Sequence, residues 1–289
     1  MLNESTRILE VLAGSRAYGT NSPESDIDIR GVVIPPKDYF LGLLRFEQSQ
    51  TINETDDKVY YDIRQFVKLL LENNPNIFEI LFVIPEHVLF VNEYGQMLID
   101  NKDMFLSQRS YKAFHGYAEA QFHRMENHHR WMINPPSEPS QSDFRGFFDK
   151  ESGAYRFKST NDKSAYDNAR RHYNNYIEWR TNRNPERAKL EEKFGYDTKH
   201  AMHVMRLVNM GTEVLADSKV NVFRLDREFL LRIRNGEFSY EQFIDLMNAG
   251  MQNLDEAFFN TVLPVKPNFD KANQLCIDIV ERFLHEQKV

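Results

Sequence analysis

Apolar positions change their period along the chain, and the change divides it. Ile8–Ala13 is a short apolar run that ends at Gly14-Ser15 and reads as a buried strand. Ser25–Ile34 alternates polar and apolar from Asp26 to Arg30, then turns apolar, and is closed by Pro35-Pro36, which predicts a second strand. Val59–Ile63 is a third, shorter candidate. From Arg64 the period becomes helical, with Phe66, Leu69 and Leu70 on one side and a stop expected near Asn74-Pro75.

Beyond this the pattern is mostly helical. A long helix is expected over Gln108–Met132, followed by a loop at Asn134–Ser142, where three prolines lie among small polar residues. Further helices are expected over Ser164–Arg180, Asp197–Ala216, Asp226–Arg234 and Ser239–Asn260. Ser239 and Gln242 have capping-box spacing at the start of the last one. The expected fold class is therefore α+β, a small mixed-sheet domain over residues 1–107 followed by a mainly helical domain over 108–289.

Composition bounds what such a chain does. In 289 residues, 41% are hydrophobic and 13% aromatic, enough to bury a sizeable core. The single cysteine, Cys276, excludes an intrachain disulfide framework and a multi-cysteine zinc site, and its apolar neighbours suggest a buried role. No run approaches the roughly 20 apolar residues that span a bilayer, and MLNESTRILEVLAG lacks the layout of a secretory signal. A reducing cytoplasmic location with no membrane association is expected.

The formal charge of −7 argues against a globally basic nucleic-acid binder. It averages unlike parts, however. Residues 1–107 carry 9 basic and 17 acidic side chains, whereas residues 108–206 carry 18 and 13, together with seven of the nine histidines.

The chemistry concentrates in Ala13–Gly31, AGSRAYGTNSPESDIDIRG. Asp26 and Asp28 are two residues apart on a predicted strand, so their carboxylates share a face. Like charges held this close repel unless they share a cation, and oxygen ligands of this kind suit Mg²⁺ or Mn²⁺. Upstream, glycine at position 14 lets backbone approach a ligand, and the amides that follow can face phosphate oxygens. A bare D-x-D also occurs on solvated surfaces; a Gly-Ser turn ten residues before it on the preceding strand narrows the reading.

This constellation resembles the signature of the DNA polymerase beta-like nucleotidyltransferase superfamily. The fuller string GSRAYGT…SDIDIRGV is closest to the RlaP-like, YcgL-like (RNA-ligase-associated) branch. Tyr61–Leu81, Lys199–Gly211 and Asp226–Phe243 resemble that branch as well, and residues 134–195 match more loosely. The resemblance implies a polymerase beta-like palm followed by helices. It also implies transfer of a nucleoside monophosphate from an NTP to a hydroxyl, with two Mg²⁺ or Mn²⁺ ions as cofactors and an RNA or DNA end as acceptor.

A third metal-binding carboxylate is implied on a neighbouring strand. Asp62 fits that position best; Asp56 and Asp57 compete, but NETDD reads as a turn. The expected site is thus Asp26, Asp28 and Asp62 as catalytic metal ligands, with Gly14, Ser15 and Arg16 beside the phosphates. Lys199, His203 and Arg206, at i, i+4 and i+7, would offer a cationic helix face to the triphosphate. Tyr18 and Arg30 read equally well as packing residues and stay outside it. Tyr173, Tyr176 and Trp179 with their neighbouring arginines suit either base stacking or a helix core with a cationic rim. Two other functions remain open: NMP transfer to a protein hydroxyl, as in antitoxin-type members of the superfamily, and nucleotide binding without turnover.

Overall fold

The structure, a computed structural model, describes residues 6–23, 25–46, 49–52 and 56–286. Part of the expected Asn53–Asp57 turn, residues 53–55, and the first five residues lie outside those described. The chain runs β1 (Arg7–Ala13), α1 (Gly14–Tyr18), β2 (Ile27–Val33), α2 (Asp38–Leu41), β3 (Ser49–Ile52), β4 (Asp56–Asp62), α3 (Ile63–Leu71) and α4 (Pro75–Leu81). It continues with β5 (Val88–Val91), α5 (Glu93–Asp100), α6 (Arg109–Ile133), β6 (Gly146–Asp149), β7 (Ala154–Phe157), α7 (Thr160–Thr181) and α8 (Pro185–Phe194). Helices α9 (Thr198–Asp217), α10 (Arg227–Arg234), α11 (Tyr240–Asn260) and α12 (Phe269–Glu286) complete it. The α+β class expected from the sequence is the one observed.

Two compact units emerge, residues 1–120 with 202–289, and residues 121–201. This division differs from the expected 1–107 and 108–289. The physical reason is that the last helices pack into the same unit as the sheet: α12 lies against α3 and α5. Ile279 and Phe283 of α12 are buried there, as are Phe66, Leu70 and Leu98 of the helices it meets.

The first unit holds a five-stranded sheet in the order β3-β4-β2-β1-β5. All neighbouring pairs are antiparallel except β2 and β4, which run parallel. That parallel pair sets the register of the candidate site. Ile27 faces Asp56, Asp28 faces Asp57, and Val33 faces Asp62. On the other side of β2, Ala13 at the end of β1 faces Asp28.

The helix boundaries follow local chemistry. Asp62 caps α3 by accepting from the Arg64 amide at 2.7 Å, and Asn74 caps α4 ahead of Pro75. The Ser239–Gln242 capping box at the start of α11 forms as its spacing predicts. The second unit contains the β6–β7 hairpin, α7 and α8. Its aromatic cluster is internal, with Trp131 and Tyr176 buried and the rings of Trp131 and Trp179 5.5 Å apart. Tyr176 and Trp179 therefore belong to the helix core, not to an exposed stacking platform. Among the described residues, no helix is long and apolar enough to cross a membrane.

Candidate active site

The site forms where β1 hands the chain to α1 beside the start of β2. Because Ala13 pairs with Asp28, the chain leaves β1 level with that carboxylate. Gly14 then takes φ +61°, in the left-handed region. A Cβ built on it would stand 1.9 Å from Asp28 Oδ2, so only glycine lets the backbone lie this close to the carboxylate. Ser15 follows on α1, half-buried, and its carbonyl accepts the Thr20 amide at 2.9 Å to close the turn.

Asp26 is exposed and directly precedes β2; Asp28 is half-buried on it. The third carboxylate beside them is Asp57. It faces Asp28 across the parallel pair, with both side chains 29% exposed. Arg30, two residues beyond Asp28 and on the same face of β2, reaches both acids. Its Nη2 lies 2.9 Å from Asp57 Oδ2 and 3.4 Å from Asp28 Oδ1, and its Nη1 donates to the Asp57 and Ile29 carbonyls. A cation therefore already sits between the two acids, held by pairs exposed enough to contribute about 1 kcal/mol or less each.

Asp62 is not part of this group. It lies five residues farther along β4, opposite Val33, or about 16 Å at the rise of a strand. Its carboxylate is occupied as the α3 cap and as the partner of Arg64, at 2.7 Å. The expected position beside Asp28 is therefore occupied by Asp57 and not by Asp62. The residue was missed because β4 begins three residues earlier than the apolar pattern indicated, and NETDD looked like a turn. The available signal was the two-residue spacing of Asp57, Val59 and Tyr61, which continues the strand period backwards. The side chain of Asp56, the other competitor, lies outside the described residues.

Three cationic expectations also change. Arg16 ties the turn to the start of β2, donating to the Ser25 carbonyl at 2.8 Å and the Asp26 carbonyl at 3.3 Å. Arg206 is buried, 5% exposed; its guanidinium pairs with Glu79 and stacks over the Tyr18 ring at 3.9 Å. Burial works against its charge, but Glu79 and Tyr18 more than offset this and hold its pKa above the usual arginine value. The Arg206 guanidinium is therefore engaged in the core by Glu79 and Tyr18. Along α9 the three expected cationic positions differ in burial, Lys199 being exposed, His203 half-buried and Arg206 buried.

Tyr18, which the sequence left outside the site, is buried beneath the turn. Its hydroxyl donates to Glu79, and burial raises its pKa well beyond the ordinary tyrosine range. Among the described residues, no three His, Cys, Asp or Glu side chains form a ready metal cage. Two cavities, of about 680 and 470 Å³, open near Arg64 toward the far end of β4, and neither is lined by Asp26, Asp28 or Asp57.

A mixed sheet with two neighbouring strand carboxylates under a Gly-Ser turn is the kind of arrangement that the resemblance implied for this segment. Residues 3–136 match the family model described as RlaP, the RNA repair pathway DNA polymerase beta family, which bears out the resemblance read from the sequence. The chain is also 29% identical over 119 residues to an uncharacterized 38.9 kDa protein in the nrdC-mobD intergenic region of Enterobacteria phage T4. That similarity takes in 37% of this chain and 35% of the phage protein, so about a third of the relative's length is spanned. No solved structure matches.

Proposed function

We propose that the protein is a metal-dependent nucleotidyltransferase that moves a nucleoside monophosphate from an NTP to a hydroxyl at an RNA or DNA end, RNA being favoured, and releases pyrophosphate. The observation that carries this reading is the β2–β4 register, which sets Asp57 beside Asp28 while the Gly14 backbone lies against the same carboxylate. The RNA-repair description of the matching family favours RNA as acceptor.

The donor set suits Mg²⁺ or Mn²⁺. Magnesium is commonly held by one or two carboxylates plus substrate phosphates, so a complete protein cage is unnecessary. Asp26, Asp28 and Asp57 would hold the ions, and the Arg30 guanidinium stands where positive charge is needed when they are absent. Bound ions would neutralise the triphosphate and lower the pKa of the attacking hydroxyl. The chain's own contribution is positional. Gly14 keeps side-chain atoms away from the carboxylate, and Ser15 offers a hydroxyl and amide to phosphate oxygens. Arg16 holds the segment carrying Asp26.

The test is incubation with Mg²⁺ or Mn²⁺, each labelled NTP in turn, and RNA ends, DNA ends or cellular protein. Label on RNA or DNA, lost in the Asp26→Asn/Asp28→Asn double variant, supports the reading. Label on protein replaces the acceptor with a protein hydroxyl, and NTP binding without transfer leaves a nucleotide-binding protein. Transfer that survives the double variant refutes the proposed site.

A further inference from the structure

The turn that carries Gly14 and Ser15 is gripped from a part of the chain outside the family match. Residues 206–234 reach Tyr18–Thr20 from several positions. The Arg206 guanidinium covers the Tyr18 ring, and both groups bind the carboxylate of Glu79 on α4. The Arg224 amide donates to the Tyr18 carbonyl at 3.1 Å, and Arg234 Nη1 donates to the Thr20 carbonyl at 2.7 Å. Gly19, at φ +72°, lies so near Phe223 that a Cβ there would stand 2.7 Å from the ring.

The base of this grip is itself fixed. Arg224 is fully buried, held at 2.7 Å by Glu213 and at 2.8 Å by Asp226, which in turn accepts from Asn209 at 2.7 Å. Burying two guanidiniums is a costly way to fill a core, since apolar side chains of similar volume are often at least as stabilising. What the charged arrangement adds is orientation. Stacking, a two-oxygen carboxylate and carbonyl acceptors each fix a direction that an apolar contact leaves free.

We propose that Arg206, Phe223, Arg224 and Arg234 form a clamp that positions the Gly14–Thr20 turn against Asp28, making the 206–234 segment a working part of the nucleotide site. Arg206 and Arg234 act as positioning residues, through Tyr18 and the Thr20 carbonyl. The inference rests on the proposed nucleotide reading. Its geometric reason is the contact at Gly14: a turn whose backbone leaves no room for a Cβ beside Asp28 has little tolerance for displacement. Tyr18 closes the same five-residue helix that Gly14 opens, so fixing Tyr18 fixes Gly14.

The experiment uses the full chain in four forms: wild type, Arg234→Gln, Arg206→Lys and Asp28→Asn. Amide hydrogen exchange is followed at residues 15–20 and in β1, and binding of each NTP with Mn²⁺ is titrated by calorimetry. Arg234→Gln is chosen because it removes the Nη1 hydrogen bond to the Thr20 carbonyl. It is expected to speed exchange at 15–20 by about tenfold, the equivalent of about 1.4 kcal/mol. It should leave β1 amides unchanged and weaken NTP binding several-fold. Arg206→Lys keeps the charge pair with Glu79 but loses the planar stack, and is expected to show a smaller change of the same kind.

Unchanged exchange at 15–20, or faster exchange with wild-type NTP affinity, overturns the clamp. If Asp28→Asn weakens binding while Arg234→Gln does not, the clamp fails and the nucleotide site stands. If the wild type binds no NTP, or Asp28→Asn binds as the wild type does, the nucleotide reading fails and the clamp falls with it.

Discussion

Gly14→Ala tests the closest contact in the site. Two costs are separable. The first is conformational: at φ +61° an alanine pays about 1–2 kcal/mol for the left-handed region. The second is steric: its Cβ would stand 1.9 Å from Asp28 Oδ2, so the carboxylate must rotate away. An off-rotamer side chain costs about 0.5–1.5 kcal/mol. Loss of the partly exposed contact with Arg30 adds about 1 kcal/mol or less. Gly14→Ala should therefore destabilise the fold by roughly 2–4 kcal/mol. In an Asp28→Ala background the oxygen is gone, leaving chiefly the conformational cost of about 1–2 kcal/mol. The Asp28 Cβ remains, 3.1 Å away, and asks for only a small adjustment.

The assay is urea unfolding of the four members of this double-mutant cycle, with stability changes read at constant m-value. A coupling of roughly 1–2 kcal/mol is expected between the two positions. Gly14→Ala within about 0.5 kcal/mol of wild type, a surface-like value, refutes the contact. An equal cost in both backgrounds refutes the steric part alone.

Further outcomes follow from the same geometry. Asp57→Asn should weaken Mn²⁺ binding about tenfold or more by removing a charged ligand. Asp62→Ala should leave Mn²⁺ binding unchanged and cost about 1–2 kcal/mol in stability for the lost α3 cap; calorimetry and urea unfolding of the two variants separate the roles, and the reverse result restores Asp62 to the site. Arg30→Gln removes a cation that competes with the metal, so Mn²⁺ should bind about fivefold tighter, in line with roughly 1 kcal/mol of displaced ion pairing; equal or weaker binding in a Mn²⁺ titration contradicts that role. Arg206→Met should cost about 3–5 kcal/mol because it strands a buried Glu79 carboxylate, and a loss below 1 kcal/mol in urea unfolding refutes the buried pair. His200 is buried, and burial lowers its pKa below the ordinary 6.5, with Asp197 opposing the shift and Arg187 adding to it. The unfolded chain therefore takes up that proton first, so this contribution to stability is full above about pH 6.5 and is lost as pH falls below it. His200→Gln should flatten the stability profile between about pH 7 and 5, and an unchanged slope in pH-dependent unfolding excludes His200 as its source.

Where local chemistry decides an element, the sequence was readable. The apolar runs at β1 and β2, the Asn74-Pro75 break and the Ser239–Gln242 box each act within a few residues, and each appears as expected. Elements with mixed or short patterns were not legible. α4 buries even Glu79 and so lacks a polar face, and the β6–β7 hairpin is largely exposed. Asp28 was legible because it falls within the alternation that forms β2, whereas Asp26 directly precedes that strand, so spacing alone does not set its face.

Asp57 and Arg206 show why the rest of the site was not. Which acid completes a pair on β2 depends on the register of a parallel neighbour, and the connecting segment between parallel strands does not fix it as a hairpin turn does. A shift of five residues would have put Asp62 where Asp57 stands. Arg206 failed for a different reason. Helical spacing assigns residues to faces, but it does not say whether a face meets solvent or a buried carboxylate distant in sequence, and Glu79 lies 127 residues from Arg206. The charge of Glu79 turns that part of α9 inward, because neither ion can be buried without the other. The same inward turn brings the helix onto Tyr18. Asp26, Asp28 and Asp57 thus lie in the family-matched segment, while Arg206, Arg224 and Arg234, which reach Tyr18 and Thr20, lie in the chain that follows it.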